Sequence, residues 1–345
     1  IGYAFMPAFW GFTLAMIFGG TVVDHLGMRK GMWMAFMLHA IGIVATLMAT
    51  NLTSLFLATV FMGIGNGMVE AVCNPLVASM YPQQKTKMLN RFHLWFPGGI
   101  VIGSVAGYLL MDVMGLGWQV LVGTLFIPLV VYGYLFRGQD FPPTERVEMG
   151  VSTSDALKSL VSPLYLLIGV CMMMSAATEL GTTQRIESLL AATGVNALLV
   201  LAFINGIMTI GRAFAGPVHQ RISTTGMLWF SAIASFIGLQ LLAGASGSFV
   251  FVAAAVFALG VTFFWPTTLA FIAENKPESG AFGLSIMGGL GMLSVSVVLP
   301  IMGRMLDNAV GTEALRIMSI LPGILIVLYG ALFFARRRNR RRSAA

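Results

Sequence analysis

The sequence predicts an all-α, polytopic membrane protein, and three observations predict it. Of the 345 residues, 57% are hydrophobic and only 10% charged, with a mean hydropathy of +0.87. Soluble domains carry about 25% charged residues, so this chain could not clothe a water-facing surface. The apolar residues also gather into runs of the length that crosses a bilayer, about 18–25 residues. Eleven such runs follow one another, near 3–23, 31–49, 54–80, 91–111, 118–136, 162–182, 195–217, 225–245, 248–273, 279–304 and 315–335. Most breaks between them are short, polar or glycine-rich, as turns are.

One break is long. "RGQDFPPTERVEMGVSTSDALKSL" (137–160) carries two prolines and alternating charges. It divides the chain into an N-terminal half (1–136), a linker (137–161), a C-terminal half (162–336) and a basic tail (337–345). The net charge of +7 is concentrated at the end, where "ARRRNRRRSAA" (335–345) holds six arginines. This tail directly follows an apolar run, so it reads as a cytoplasmic anchor rather than a nucleic-acid contact. "HLGMRK" (25–30), "QQKTKMLNR" (83–91), the linker and "HQRIS" (219–223) fall on the same side as the tail. "ATNLT" (49–53) and "GASGS" (244–248), on the other side, have no lysine or arginine; Arg185, Arg304 and Arg316 depart from the pattern. The expected placement is a bacterial inner membrane, with the C-terminus in the cytoplasm and residue 1 outside.

Cys73 and Cys171 both lie in apolar runs and the four histidines are scattered, so no disulfide framework, metal site or cofactor is expected. "GASG" (244–247) matches the pattern of an intramembrane serine nucleophile, but no histidine at comparable depth could activate it. No enzyme activity is expected.

The halves repeat. An offset of 191 takes Gly20 to Gly211, Lys30 to Arg221, Pro75 to Pro266 and Gly98 to Gly289. This is the pattern of transporters built from two parallel six-helix halves. The second half opens near residue 162, and 162 − 191 = −29, so the counterpart of its first helix would precede Ile1. The expectation is eleven of twelve transmembrane helices.

The turn after the first run reads "GGTVVDHLGMRKG" (19–31). It resembles the major facilitator superfamily, whose loop between helices 2 and 3 carries Gly-x-x-x-Asp-Arg-x-Gly-Arg-Arg/Lys. Gly20, Asp24, Gly27, Arg29 and Lys30 fit, with His25 and Met28 as departures. Here the glycine lets two helices approach, and the aspartate can meet a helix N-terminus and nearby arginines. Such contacts, broken when a cavity reopens, would form a conformational latch. An ordinary basic turn explains the cations but not the Gly/Asp/Gly spacing.

"GMVEAVCNPLV" (67–77) places Glu70 near the middle of a spanning run. Gly63, Gly67, Glu70 and Asn74 share one helical face, bordered by Asn66 and Cys73. A carboxylate facing lipid would cost about 2.5–3.5 kcal/mol, so Glu70 is expected to face the interior or a watery cavity. There it would either alternate between protonated and charged, as proton coupling needs, or remain protonated against a neighbouring helix. "EAVCNPLVASMYPQQKTKMLNRFHLWFPGG" (70–99) resembles the fucose permease-like sugar:proton symporters through Glu70, Asn74, Pro75, Leu89, Asn90 and Gly98. His93 and Phe96 depart from that group's glutamine and asparagine. The resemblance implies that Glu70 is one of two proton-coupling carboxylates, the other belonging on the first helix.

Further candidates for substrate binding are Asn66, Asn74, His93, Asn205, Trp265 and Glu179. His93 could bind a sugar hydroxyl or mark the end of its helix. Glu179, in "ATELGTTQRIE" (177–187), could be a site residue or a snorkelling or ion-paired carboxylate, with Arg185 at hand. Asn205 could line a cavity or bond to another helix, and Trp265 could stack on a sugar or pack. His39 reads as structural. Gly11, Ala15 and Gly19, and likewise Gly99, Gly103 and Gly107, form small-residue packing stripes. The expectation is a monomeric secondary transporter importing a sugar or related polar solute with protons. The alternative is an exporter of drugs or metabolites by proton antiport.

Overall fold

The computed structural model describes residues 6–308 and 311–344, and among these every regular element is helical. Eleven apolar helices coincide with the eleven runs: α1 (Pro7–Leu26), α2 (Met28–Leu47), α3 (Leu52–Met80), α4 (Lys85–Val113), α5 (Trp118–Phe136), α6 (Pro163–Gln184), α7 (Ala197–Ala213), α8 (Ala215–Gly244), α9 (Phe249–Asn275), α10 (Pro277–Leu306) and α11 (Gly311–Arg338). Ten are long and apolar enough to cross a membrane, and α7 is shorter. The seventh run does not end with α7, because its helix resumes at Ala215 and runs on until Ser223 turns it at φ 66°, ψ 167°. The basic break predicted at 219–223 therefore lies inside α8. Between α5 and α6, the linker forms short helices at Glu145–Glu148 and Thr153–Leu160. The final helix continues through the basic tail to Ala344.

Local chemistry sets the boundaries. Gly27 takes φ 86° between α1 and α2, a left-handed conformation open to glycine. Asn51 caps α3 reciprocally: its Oδ1 accepts from Ser54 N at 2.9 Å, and its own N–H donates to Ser54 Oγ at 3.2 Å. Asn196 caps α7 through Leu198 N at 2.9 Å. Two π-helical turns, Tyr108–Val113 in α4 and Ala177–Gly181 in α6, widen their helices.

The chain gathers into two compact units. The first comprises Ile1–Gln83, Ile102–Leu166 and Ile272–Ser296; the second comprises Gln84–Val101, Leu167–Phe271 and Val297–Ala345. Each therefore holds a piece of α4 and a piece of α10.

In the first unit α1 lies directly on α3, because small residues face each other. A Cβ on Gly11 would meet the Val60 carbonyl, and one on Gly63 would meet the Ala8 carbonyl. At Gly67 it would lie 2.7 Å from both Phe12 O and Ala15 Cβ, and at Gly19 3.0 Å from Ala71 Cβ. The predicted Gly11/Ala15/Gly19 stripe is thus a helix–helix seam. Gly99 and Gly103 of the second stripe have no described atom within 4 Å of a built Cβ. In the second unit Gly238 sits against the Phe257 backbone and Gly260 against that of Ser235, drawing α8 onto α9. The core around them contains Val200, Ile204, Leu239, Phe257, Phe264 and Tyr329.

Gly67→Val should overpack the α1–α3 seam at a cost of about 1–3 kcal/mol. A lowered thermal midpoint in detergent is expected, whereas Gly99→Ala should leave the midpoint unchanged or raise it. Equal midpoints for Gly67→Val and the parent would refute the seam.

Candidate functional site

The structure distributes the predicted residues between the two units: Asn66, Glu70 and Asn74 lie in the first, and His93, Glu179, Asn205 and Trp265 in the second. On α3, Glu70 is half-buried and Asn74 fully buried. Their i,i+4 spacing lets Asn74 Nδ2 donate to Glu70 Oε2 at 2.9 Å. The glycines of the same stripe are taken up by α1, so the polar part of that face is confined to the turns beyond Gly67. Asn66, exposed, turns to α2, where its Oδ1 meets His39 Nε2 at 3.0 Å. His39 Nδ1 in turn lies 2.9 Å from the Tyr132 hydroxyl of α5. An amide oxygen only accepts, which places the proton on Nε2 and, for the neutral ring, makes Nδ1 the acceptor of the tyrosine O–H. His39 ties three helices together, in keeping with its structural reading.

The turn residues are also in the first unit. A Cβ on Gly20 would lie 2.7 Å from Phe282 Cα and 2.8 Å from Ala281 O, so glycine admits the start of α10 here. Asp24 Oδ2 pairs with Arg146 Nε at 2.9 Å, and its Oδ1 accepts from Thr144 Oγ1 at 2.7 Å. Arg146 also donates to Val151 O at 3.0 Å and packs against Gly280, which holds φ 59°. The aspartate's arginine thus comes from the linker helix Glu145–Glu148. Arg29 and Lys30 are exposed, beyond the positive-φ Gly27.

In the second unit the π-helical turn of α6 carries Glu179, which is 3% exposed. Its Oε1 lies 3.0 Å from Nη2 of Arg212, a residue 1% exposed at the end of α7. Arg212 also donates from Nε to Thr262 O at 2.8 Å and from Nη1 to His93 O at 2.9 Å. All three nitrogens of the guanidinium therefore have acceptors, as burial of a cation requires. Among the described residues, Glu179 Oε2 accepts no hydrogen bond and the indole Nε1 of Trp265, 6% exposed, donates none. Both atoms are buried, which leaves a carboxylate acceptor and an indole donor with unused hydrogen-bonding capacity in this unit.

His93 stands where the helix Lys85–His93 stops before restarting at Trp95. Its ring meets Phe92 edge-on, with centroids 4.9 Å apart. Asn205, 2% exposed, donates from Nδ2 to Leu201 O of its own helix at 2.8 Å, and its backbone carbonyl accepts from Thr209 Oγ1 at 2.8 Å. Glu179 is ion-paired, but with Arg212; Arg185 turns instead to Leu299 O at 3.4 Å. Arg212 and Arg146 were missed as functional candidates. For Arg212 a signal existed: a cation at the end of an apolar run demands a buried anion, and Glu179 was available.

Comparison with known proteins agrees with this architecture. Residues 1–248 match the family described as Major Facilitator Superfamily. Sugar transport protein 6 of Arabidopsis thaliana is 29% identical over 119 residues, covering 34% of this chain and 24% of that protein. The chain thus matches about a quarter of the length of this curated relative. The fucose:proton symporter FucP of E. coli superposes with a TM-score of 0.78 at 17% identity, covering 95% of this chain and 90% of that one. The proton:xylose symporter XylE, solved with 6-bromo-6-deoxy-D-glucose, gives 0.79 at 13% identity, covering 96% and 86%. At these identities the structures speak for the fold alone. The family match spans well over half of the sequence, and this chain belongs to the major facilitator superfamily of transporters.

Proposed function

We propose that the protein imports a sugar or related polar solute together with protons by alternating access, and that Glu70 carries the proton. The observation that supports this most is the half-buried carboxyl of Glu70 midway along α3, with the Asn74 amide on Oε2 at 2.9 Å. A carboxyl at bilayer depth is costly, and such residues commonly mark ion or substrate paths. Deprotonated, it keeps the amide as a donor; protonated, it loses the charge that opposes passage through an apolar interior. One proton crossing 100 mV supplies about 2.3 kcal/mol, enough for about 50-fold accumulation of a neutral solute.

The sugar reading draws on the relatives named above and on the polar groups of the second unit. Glu179 Oε2 and Trp265 Nε1 have hydrogen-bonding capacity to offer a solute. His93 and Asn205 complete the candidate binding set in that unit, and Asn66 and Asn74 in the other. The protein's two sequence halves, joined by the 137–161 linker, work as a monomer in a bacterial inner membrane with the C-terminus in the cytoplasm. Gly20, Asp24, Gly27, Arg29 and Lys30 form its latch.

In proteoliposomes loaded with a pH dye, a panel of hexoses, deoxyhexoses and amino sugars should include one that drives proton entry. Glu70→Gln should abolish uphill uptake and proton entry while sparing exchange of that solute. Proton-coupled accumulation persisting in Glu70→Gln would sink the assignment, and silence across the panel in folded protein would favour efflux. Asp24→Asn loses the charge facing Arg146, so it should lower the uptake rate several-fold while leaving equilibrium solute binding intact. Wild-type uptake rates in that variant would remove Asp24 from the latch.

A further inference from the structure

A proline withholds an N–H from the carbonyl four residues before it. Pro97 therefore leaves the His93 carbonyl without its helical partner, and Pro266 does the same to the Thr262 carbonyl. These are the two carbonyls that Arg212 takes, at 2.9 and 2.8 Å. The helices are interrupted at the same places: one stops at His93, and the helix ending at Val261 resumes at Phe264. With its third arm on Glu179 at 3.0 Å, Arg212 joins α4, α6 and α9 to the end of α7. The repeat does not reproduce this device. Pro266 has its counterpart in Pro75, but 212 − 191 = 21, and position 21 is Thr21.

We propose that Arg212 is a positioning residue: a clasp that holds the 84–101 piece of α4 in the second unit by its proline-freed carbonyl and releases it during transport. Of the helices it joins, α6, α7 and α9 belong to the second half of the sequence and α4 to the first. The remaining polar ties on that piece include Asn90 Nδ2 to Thr267 Oγ1 at 3.1 Å and Thr86 Oγ1 to Thr224 Oγ1 at 3.1 Å. Both are neutral, and the bond from a guanidinium is the stronger kind. Because residue 97 has no N–H, the ladder of α4 cannot reclaim the His93 carbonyl. In the clasped arrangement Arg212 Nη1 holds that carbonyl, and the proposed release gives that bond up. The planar fork is required, since a lysine ammonium cannot hold three acceptors in that plane. The role in transport rests on the alternating-access reading; the clasp itself does not.

The test uses the full chain in membrane vesicles, with Cys73→Ser and Cys171→Ser as background. Thr86→Cys, at a position 1% exposed, serves as reporter for maleimide labelling. Pro97→Ala returns an N–H to the His93 carbonyl without touching a charge. It should raise the labelling rate about tenfold, the weight of one hydrogen bond to a charged group. Its thermal midpoint should be unchanged, because the ladder bond that α4 gains offsets the acceptor that Arg212 Nη1 gives up; a merely structural role would lower the midpoint as labelling rises. Arg212→Lys should also raise labelling, and the combined variant should label no faster than the faster single variant. Parent-rate labelling in Pro97→Ala, a fallen midpoint, or effects that multiply would each overturn the clasp. If Arg212→Lys does not fold, Pro97→Ala decides alone. Labelling needs no solute, so failed uptake by the parent alongside the expected labelling pattern would fault the transport reading and not the clasp.

Discussion

Hydrocarbon offers no hydrogen bonds, and this constraint governs the whole molecule. Every backbone group and charge at bilayer depth must find its partner within the protein. Helices meet most of the demand, and the exceptions organise the rest. Where Pro97 and Pro266 withhold an N–H, an arginine supplies one. Because that arginine is itself a buried cation, a carboxylate must stand beside it, and Glu179 does at 3.0 Å. Removing one partner of such a pair commonly costs about 3–5 kcal/mol, so the four helices meeting at Arg212 are bound by necessity as well as by packing.

Close packing answers a second consequence of the same solvent. Lipid tails are as apolar as leucine, so burial alone does not drive one helix onto another. The α1–α3 seam depends on dispersion at short range, for which Gly11, Gly63 and Gly67 clear the way. In the second unit Gly238 and Gly260 do the same for α8 and α9.

The architecture was legible in the sequence because hydropathy is a one-dimensional signal. The eleven runs appear as eleven helices, and the basic break at 219–223 appears as the turn at Ser223. The Gly11/Ala15/Gly19 stripe was readable as a seam for the same reason, since spacing alone puts those residues on one face. Pairing was less legible, because it depends on rotation about each helix and on contacts remote in sequence. Arg185 is six residues from Glu179, yet the partner is Arg212, thirty-three residues away on another helix. Asn66 was grouped with Glu70 by spacing, but its amide turns to His39, and Asn205 bonds its own helix. Arg146 sits in a linker with no hydrophobic period to locate it, so nothing local pointed to Asp24.

The π-helical turn at Ala177–Gly181 has a bearing on how α6 can change. A π turn accommodates one residue more than the α-helix around it, so it works as a local phase shifter. The stretch from Pro163 to Ala176 and the stretch from Thr182 onward keep separate angular registers. Glu179 sits within the shifter itself, so its heading is set by the extra residue as well as by its place in the chain. Sequence drift on either side can therefore re-aim one end of α6 while the other end keeps its neighbours. A single-residue deletion inside the turn would restore an α-helical turn and leave both ends of α6 on their present faces, whereas the same deletion in a regular α-helix would swing one end by about 100°, the angle of one residue at 3.6 per turn.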